Sequence, residues 1–174
     1  NLLKEQFMKQ YLSAIALALP LIASAHVSLL NDQAEHGSTF KFILKIPHGC
    51  NGQATDKIVV RLPQSIQAAK PMPKAGWSLN TTQVTLAKPY EMNGKQVTQE
   101  VDRITWSGGS LPNAYYDEFV FQARVAAELG ALPLPVEQTC GKTTINWSES
   151  AEKNEHPAPV LNVVPSKNDG HHHH

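Results

Sequence analysis

The chain is short of charge and has no excess of either sign. Charged residues make up 17% of it, with 15 lysines and arginines against 15 aspartates and glutamates. A balance of zero leaves no basic field to attract nucleic acid, so no nucleic-acid partner is expected. Helical periodicity is missing as well. Beyond residue 25 no long segment repeats its apolar residues every 3.6 positions, and only residues 125–129 read as a helical turn. The motifs that announce catalysis are absent too. There is no G-x-S-x-G, no H-E-x-x-H, no phosphate-binding glycine loop and no C-x-x-C. Ser107-Gly108-Gly109-Ser110 is a turn by composition, with no base placed to activate either serine. The expectation is a binding protein and not an enzyme.

Long hydrophobic runs are also scarce. The longest, residues 12–22, falls short of the roughly 20 apolar residues that span a bilayer. It follows Met8 and Lys9 and ends at Ala23-Ser24-Ala25, a small-residue A-x-A pattern. A charged start, a short apolar run and a small-residue cleavage site make a secretory signal peptide. Residues 1–25 are therefore expected to be upstream sequence plus a cleaved leader. The mature chain would begin at His26, lack a membrane span, and be periplasmic or extracellular. About 145 residues remain, enough for one domain with a single core.

What that remainder does contain is alternation. Residues 38–46 place Phe40, Phe42, Leu44 and Ile46 on one side, and residues 56–62 do the same with Ile58, Val60 and Leu62 before Pro63. Residues 118–125 turn Phe119, Phe121, Ala123 and Val125 one way and Glu118, Gln122 and Arg124 the other. Residues 77–86, 97–106, 142–147 and 160–164 complete seven or eight short strands, with a turn expected at Ser107-Gly108-Gly109. The period-2 pattern with proline and glycine punctuation predicts an all-β fold. We expect an antiparallel β-sandwich of immunoglobulin- or cupredoxin-like size over residues 26–165. Residues 166–174 would form a tail ending in the histidine run 171–174, either native or a tag.

Cys50 and Cys140 are the only cysteines. An exported chain with an even count oxidises them, so a disulfide is expected, the rival being a two-cysteine metal site. His26 becomes special if the leader is cut after Ala25, because its free α-amine and ring Nδ1 can then chelate one metal ion. His48, in Pro47-His48-Gly49-Cys50, sits where a third nitrogen could come from. Two imidazoles and an amine suit Cu(II) better than calcium or magnesium, and a planar three-nitrogen set is a copper geometry. Trp147 follows Ile145 at strand spacing. It reads either as a core residue or as an indole face beside the metal. Trp77 and Trp106 read as packing residues, His36 and His156 as turn residues, and Asp117 and Glu118 as exposed strand-end carboxylates.

These residues, taken in order, resemble the YcnI-like family of exported bacterial copper-binding domains. The resemblance is carried by Ala25-His26-Val27, Ile46-Pro47-His48-Gly49-Cys50, Pro73-Lys74-Ala75-Gly76-Trp77, Trp106-Ser107-Gly108-Gly109 with Leu111-Pro112, Tyr116-Asp117-Glu118-Phe119, Gln138-Thr139-Cys140 and Trp147. It implies one Cu(II) per chain held by His26 in a single-histidine brace, with Trp147 close to the ion. The implied role is copper trafficking or homeostasis, with another copper-transport or chaperone protein as partner. Better-known members carry a metal-binding glutamate near the position where this chain has His48-Gly49-Cys50, and His48 is the nearest replacement. Two rival readings are a histidine-brace copper oxidase and a metal-free adhesion or assembly sandwich.

Overall fold

The computed structural model describes residues 26–150 and 155–170, so the expected leader and the histidine run 171–174 lie outside the described residues. The strands in chain order are β1 (Ser28–Leu29), β2 (Gln33–Glu35), β3 (Thr39–Ile46), β4 (Thr55–Arg61), β5 (Ile66–Pro71), β6 (Ser78–Met92), β7 (Lys95–Leu111), β8 (Asp117–Val125), β9 (Gly130–Pro133), β10 (Val136–Cys140), β11 (Thr143–Trp147) and β12 (Val160–Val164). They form sheets of order β1-β3-β8-β5, β11-β10-β4-β7-β6 and β2-β12-β9. A 3-10 turn, Lys167–Gly170, follows the last strand.

The alternation read from β3 and β8 is what closes the sandwich. The two strands pair antiparallel with Phe42 opposite Phe121, and those rings stack with centroids 4.5 Å apart. Phe42, Leu44, Ile46, Phe119, Phe121, Ala123 and Val125 are all buried, facing Ile58, Val60, Ile104 and Trp106 of the second sheet in one core. Each large apolar side chain removed from water contributes roughly 1.5–3 kcal/mol, which is why the pattern of these strands dominates the fold. Among the described residues, every member of this core lies between Val27 and Val163. Among the described residues no helix is long and apolar enough to cross a membrane.

Four features depart from the sequence expectation. Among the described residues there are twelve strands rather than seven or eight, and one pair, β2 with β12, is parallel within otherwise antiparallel sheets. The helical turn at residues 125–129 is absent, because Val125 ends β8 and the chain runs irregularly into β9. The turn expected at Ser107-Gly108-Gly109 is not a hairpin end, since β7 continues to Leu111. The reason is Trp77: a Cβ on Gly109 would come 2.0 Å from the indole Cε2, so a glycine in mid-strand leaves the indole its place. The hairpin turn falls instead at Asn93-Gly94, both with positive φ (52° and 75°), between the paired Met92 and Lys95. That is the two-residue type I′ connection whose twist suits adjoining strands.

The motifs Pro73-Lys74-Ala75-Gly76-Trp77, Trp106-Ser107-Gly108-Gly109 and Tyr116-Asp117-Glu118-Phe119 converge on one packing knot. Lys74 Nζ donates to Asp117 Oδ1 (2.7 Å) and to the Glu118 carbonyl (3.2 Å), and lies 5.1 Å from the Phe119 ring centroid. Trp77 and Trp106 both meet Phe119 edge-on, at 5.1 and 5.5 Å. The Trp106 indole N–H donates to the Met72 carbonyl (3.1 Å). The packing role expected of both tryptophans holds, and Asp117 is a partner of Lys74 rather than a lone strand-end carboxylate.

Glu100 of β7 is a buried carboxylate that periodicity does not predict. It accepts from the Ala68 N–H at 3.0 Å, where β5 bulges with φ 52°, and from the Tyr90 hydroxyl. Burial pushes its pKa above the ordinary value, and the Ala68 N–H pulls it part of the way back. The folded chain therefore holds this proton more tightly than the unfolded chain does. The group's contribution to stability is fully present below its unfolded pKa and is lost as pH rises through the raised one. Glu100→Gln keeps an acceptor for Ala68 and supplies a donor for the Tyr90 oxygen. It is expected to raise Tm at neutral pH and to flatten this part of the pH profile. A variant less stable than the parent at pH 7 would overturn the assignment.

Candidate functional site

Trp147 ends β11, where it is paired with Val136 of β10. The inward positions of β10 are Val136, Gln138 and Cys140, so the strand period carries a glutamine into the core beside the tryptophan. Gln138 is 0% exposed and satisfied at both ends of its amide. Its Oε1 accepts from the Trp147 indole N–H (3.0 Å), while its Nε2 donates to the His48 carbonyl (2.7 Å) and to Thr55 Oγ1 (2.9 Å). Thr55 in turn lies 3.7 Å from the Cys140 sulfur, which carries no hydrogen, so the hydroxyl is the donor. A buried amide of this kind is tolerated only when all its partners are in place.

His26 approaches the same indole from the start of the described chain. Val27 and Leu29 are buried, and β1 pairs with β3 through Ser28 opposite Lys45 and Leu29 opposite Leu44. That anchor leaves the half-buried His26 ring 5.8 Å from the Trp147 ring, tilted by 58°. Because the indole N–H is committed to Gln138, Trp147 offers a neighbour its ring and not its nitrogen.

His48 belongs to a tightly held loop. Cys50 and Cys140 form the expected disulfide, and both are buried. Asn51 and Gly52 take positive φ (48° and 83°) in a two-residue turn between the reciprocally bonded Cys50 and Gln53. Gly49 donates its N–H to Asn113 Oδ1 (3.1 Å), and a Cβ there would fall 1.7 Å from the Gln53 carbonyl oxygen, so no larger residue fits. The His48 ring Nδ1 meets the Gly49 carbonyl. Through its own carbonyl His48 connects by Gln138 to Trp147, and so to the His26 ring. The loop and the chain start are thus tied to one indole.

Three further residues join this region. His156 lies edge-on to Trp147 at 5.2 Å, and its ring is close to the carboxylates of Glu149 and Glu155. His36, by contrast, hydrogen-bonds the Ala127 carbonyl (2.8 Å), the turn role expected of it. Neither Gln138 nor the Glu149–Glu155–His156 group was anticipated. The inward parity of Val136 and Cys140 was the one signal that pointed to Gln138. Nothing local signalled the second group.

The disulfide fits a protein that matures in an oxidising, exported setting. No curated protein matches the chain. Among solved structures, a crystal structure of an uncharacterized protein from Nocardia farcinica with an immunoglobulin-like fold is similar at 24% identity and a TM-score of 0.61. The similarity covers 81% of this chain and 99% of that one. The sandwich is thus immunoglobulin-like. The model of a domain of unknown function (DUF1775) matches residues 26–163, and the chain belongs to that family, of which YcnI-like proteins are members.

Proposed function

We propose that this domain is an exported copper-binding protein that accepts, buffers or hands on one Cu(II), without catalysing a reaction. The contact between the His26 ring and Trp147 carries the reading. Cleavage after Ala25 would give His26 a free α-amine, so amine and ring Nδ1 would hold the ion, with His48 as a third nitrogen. This donor set suits copper, and the buried indole keeps one side of it apolar. The Gln138 network would hold Trp147 and the His48 loop in register with His26, as outer partners orient ligands in metal sites. The recipient would be another copper-transport or chaperone protein.

The test is electron paramagnetic resonance of one equivalent of Cu(II) on residues 26–170, beside a His26→Ala variant. A type 2 spectrum with nitrogen splitting that disappears in the variant is expected; a spectrum that survives His26→Ala would overturn the reading. A metal-free adhesion or assembly role is favoured by Tyr115 and Tyr116, exposed at 66% and 62% in the β7–β8 loop. It predicts no Cu(II) signal beyond free copper in either protein.

A further inference from the structure

Past Trp147 the chain is folded back onto its own later segment. The N–H groups of Ser148 and Glu149 both donate to the His156 carbonyl (3.1 and 3.0 Å), and the Ala158 N–H donates to the Glu149 carbonyl (3.0 Å). These bonds form an isolated parallel bridge between Glu149 and Pro157. They bring the carboxylates of Glu149 and Glu155 and the ring of His156 together, with one ligand atom from each within 4.8 Å of the others. Among the described residues no other three histidine, cysteine or acidic side chains come as close. Glu149 and His156 are half-buried and Glu155 is exposed, so the group is held from beneath and open to solvent on one side.

From this geometry we infer that Glu149, Glu155 and His156 form a second divalent-cation site, built from ligands other than His26 and next to the Trp147 indole that His26 also meets. One imidazole nitrogen and two carboxylate oxygens are a zinc-type donor set with room for a further ligand. Ligand distances of about 2.1 Å put the donor atoms of a tetrahedral site about 3.4 Å apart, so modest side-chain rotation closes the set around an ion. Bringing two carboxylates side by side costs Coulomb energy in the bare chain, and a cation between them reverses the sign. His156, flanked by the Trp147 ring, is held in place as the nitrogen donor.

The site is read by titrating Zn(II) calorimetrically into residues 26–170 carrying His26→Ala, which removes the first histidine and the competing histidine run. One equivalent of Zn(II) is expected to bind. Adding His156→Ala, or Glu149→Gln with Glu155→Gln, should weaken binding by more than the roughly tenfold that losing even an outer partner of a metal site costs. The glutamine pair is the check in case His156→Ala disturbs the packing on Trp147, and the Tm of each variant reports folding. Absence of Zn(II) binding to the His26→Ala protein, or unchanged affinity in the folded glutamine pair, would overturn the inference. The copper reading stands or falls on the parent chain's Cu(II) spectrum, so the two fail separately.

Discussion

Extending the mature chain by one glycine ahead of His26 is expected to lower Cu(II) affinity by more than about a hundredfold, beyond the loss that outer partners of a metal site cause. The change leaves every side chain as it was. It would convert the α-amine into an amide and so break the proposed chelate of amine and Nδ1 on one ion. The comparison uses residues 26–170 with and without the glycine, at one pH, because binding displaces protons from the ligands. Competition against a chelator of fixed strength gives the ratio. The His26 ring still meets Trp147 in the extended chain, since Val27 and Leu29 anchor the segment independently of what precedes it. Loss of affinity with unchanged Tm is thus the signature of a missing amine rather than of a damaged fold. Equal affinity in both proteins would remove the chelate, and any bound copper would have to be sought elsewhere.

Replacing both cysteines, Cys50→Ala with Cys140→Ala, is expected to cost about 4.5 kcal/mol of stability in the chain-entropy account, given a loop of 90 residues. For a domain of this size that corresponds to a fall in Tm of about 15 °C. The bridge also pins the loop that carries His48 to β10, two residues beyond Gln138. Losing it frees the His48 carbonyl to leave the Gln138 amide, exposing a network that is otherwise satisfied at every atom. Thermal unfolding followed by Trp fluorescence reads both effects. A Tm within a degree or two of the parent would mean that the native contacts alone hold the loop.

The strands that pack the core were legible because their information is local. Phe42, Leu44 and Ile46 alternate without interruption, as do Phe119, Phe121, Ala123 and Val125, and period 2 admits no other buried structure for them. The shorter or interrupted strands were not. β1 and β2 have two and three residues, too few to show a period. β5 is broken by the positive φ of Ala68, and β10 hides its inward face behind a glutamine. Asn93-Gly94 was a readable turn signal, whereas the continuation of β7 through Gly109 depends on Trp77, thirty-two positions away in the chain.

By itself the sequence determined the β-sandwich class, the oxidised cysteine pair and the residues, His26 and Trp147, on which the copper proposal rests. Alternation and the small-residue A-x-A pattern are properties of neighbouring residues, and an even cysteine count is a property of composition. Only the tertiary structure decided that the His26 ring meets Trp147, that Gln138 ties both to the His48 loop, and that Glu149, Glu155 and His156 stand together. Those meetings are set by strand register and by single backbone hydrogen bonds between distant segments. A linear pattern carries no record of which segments will lie side by side.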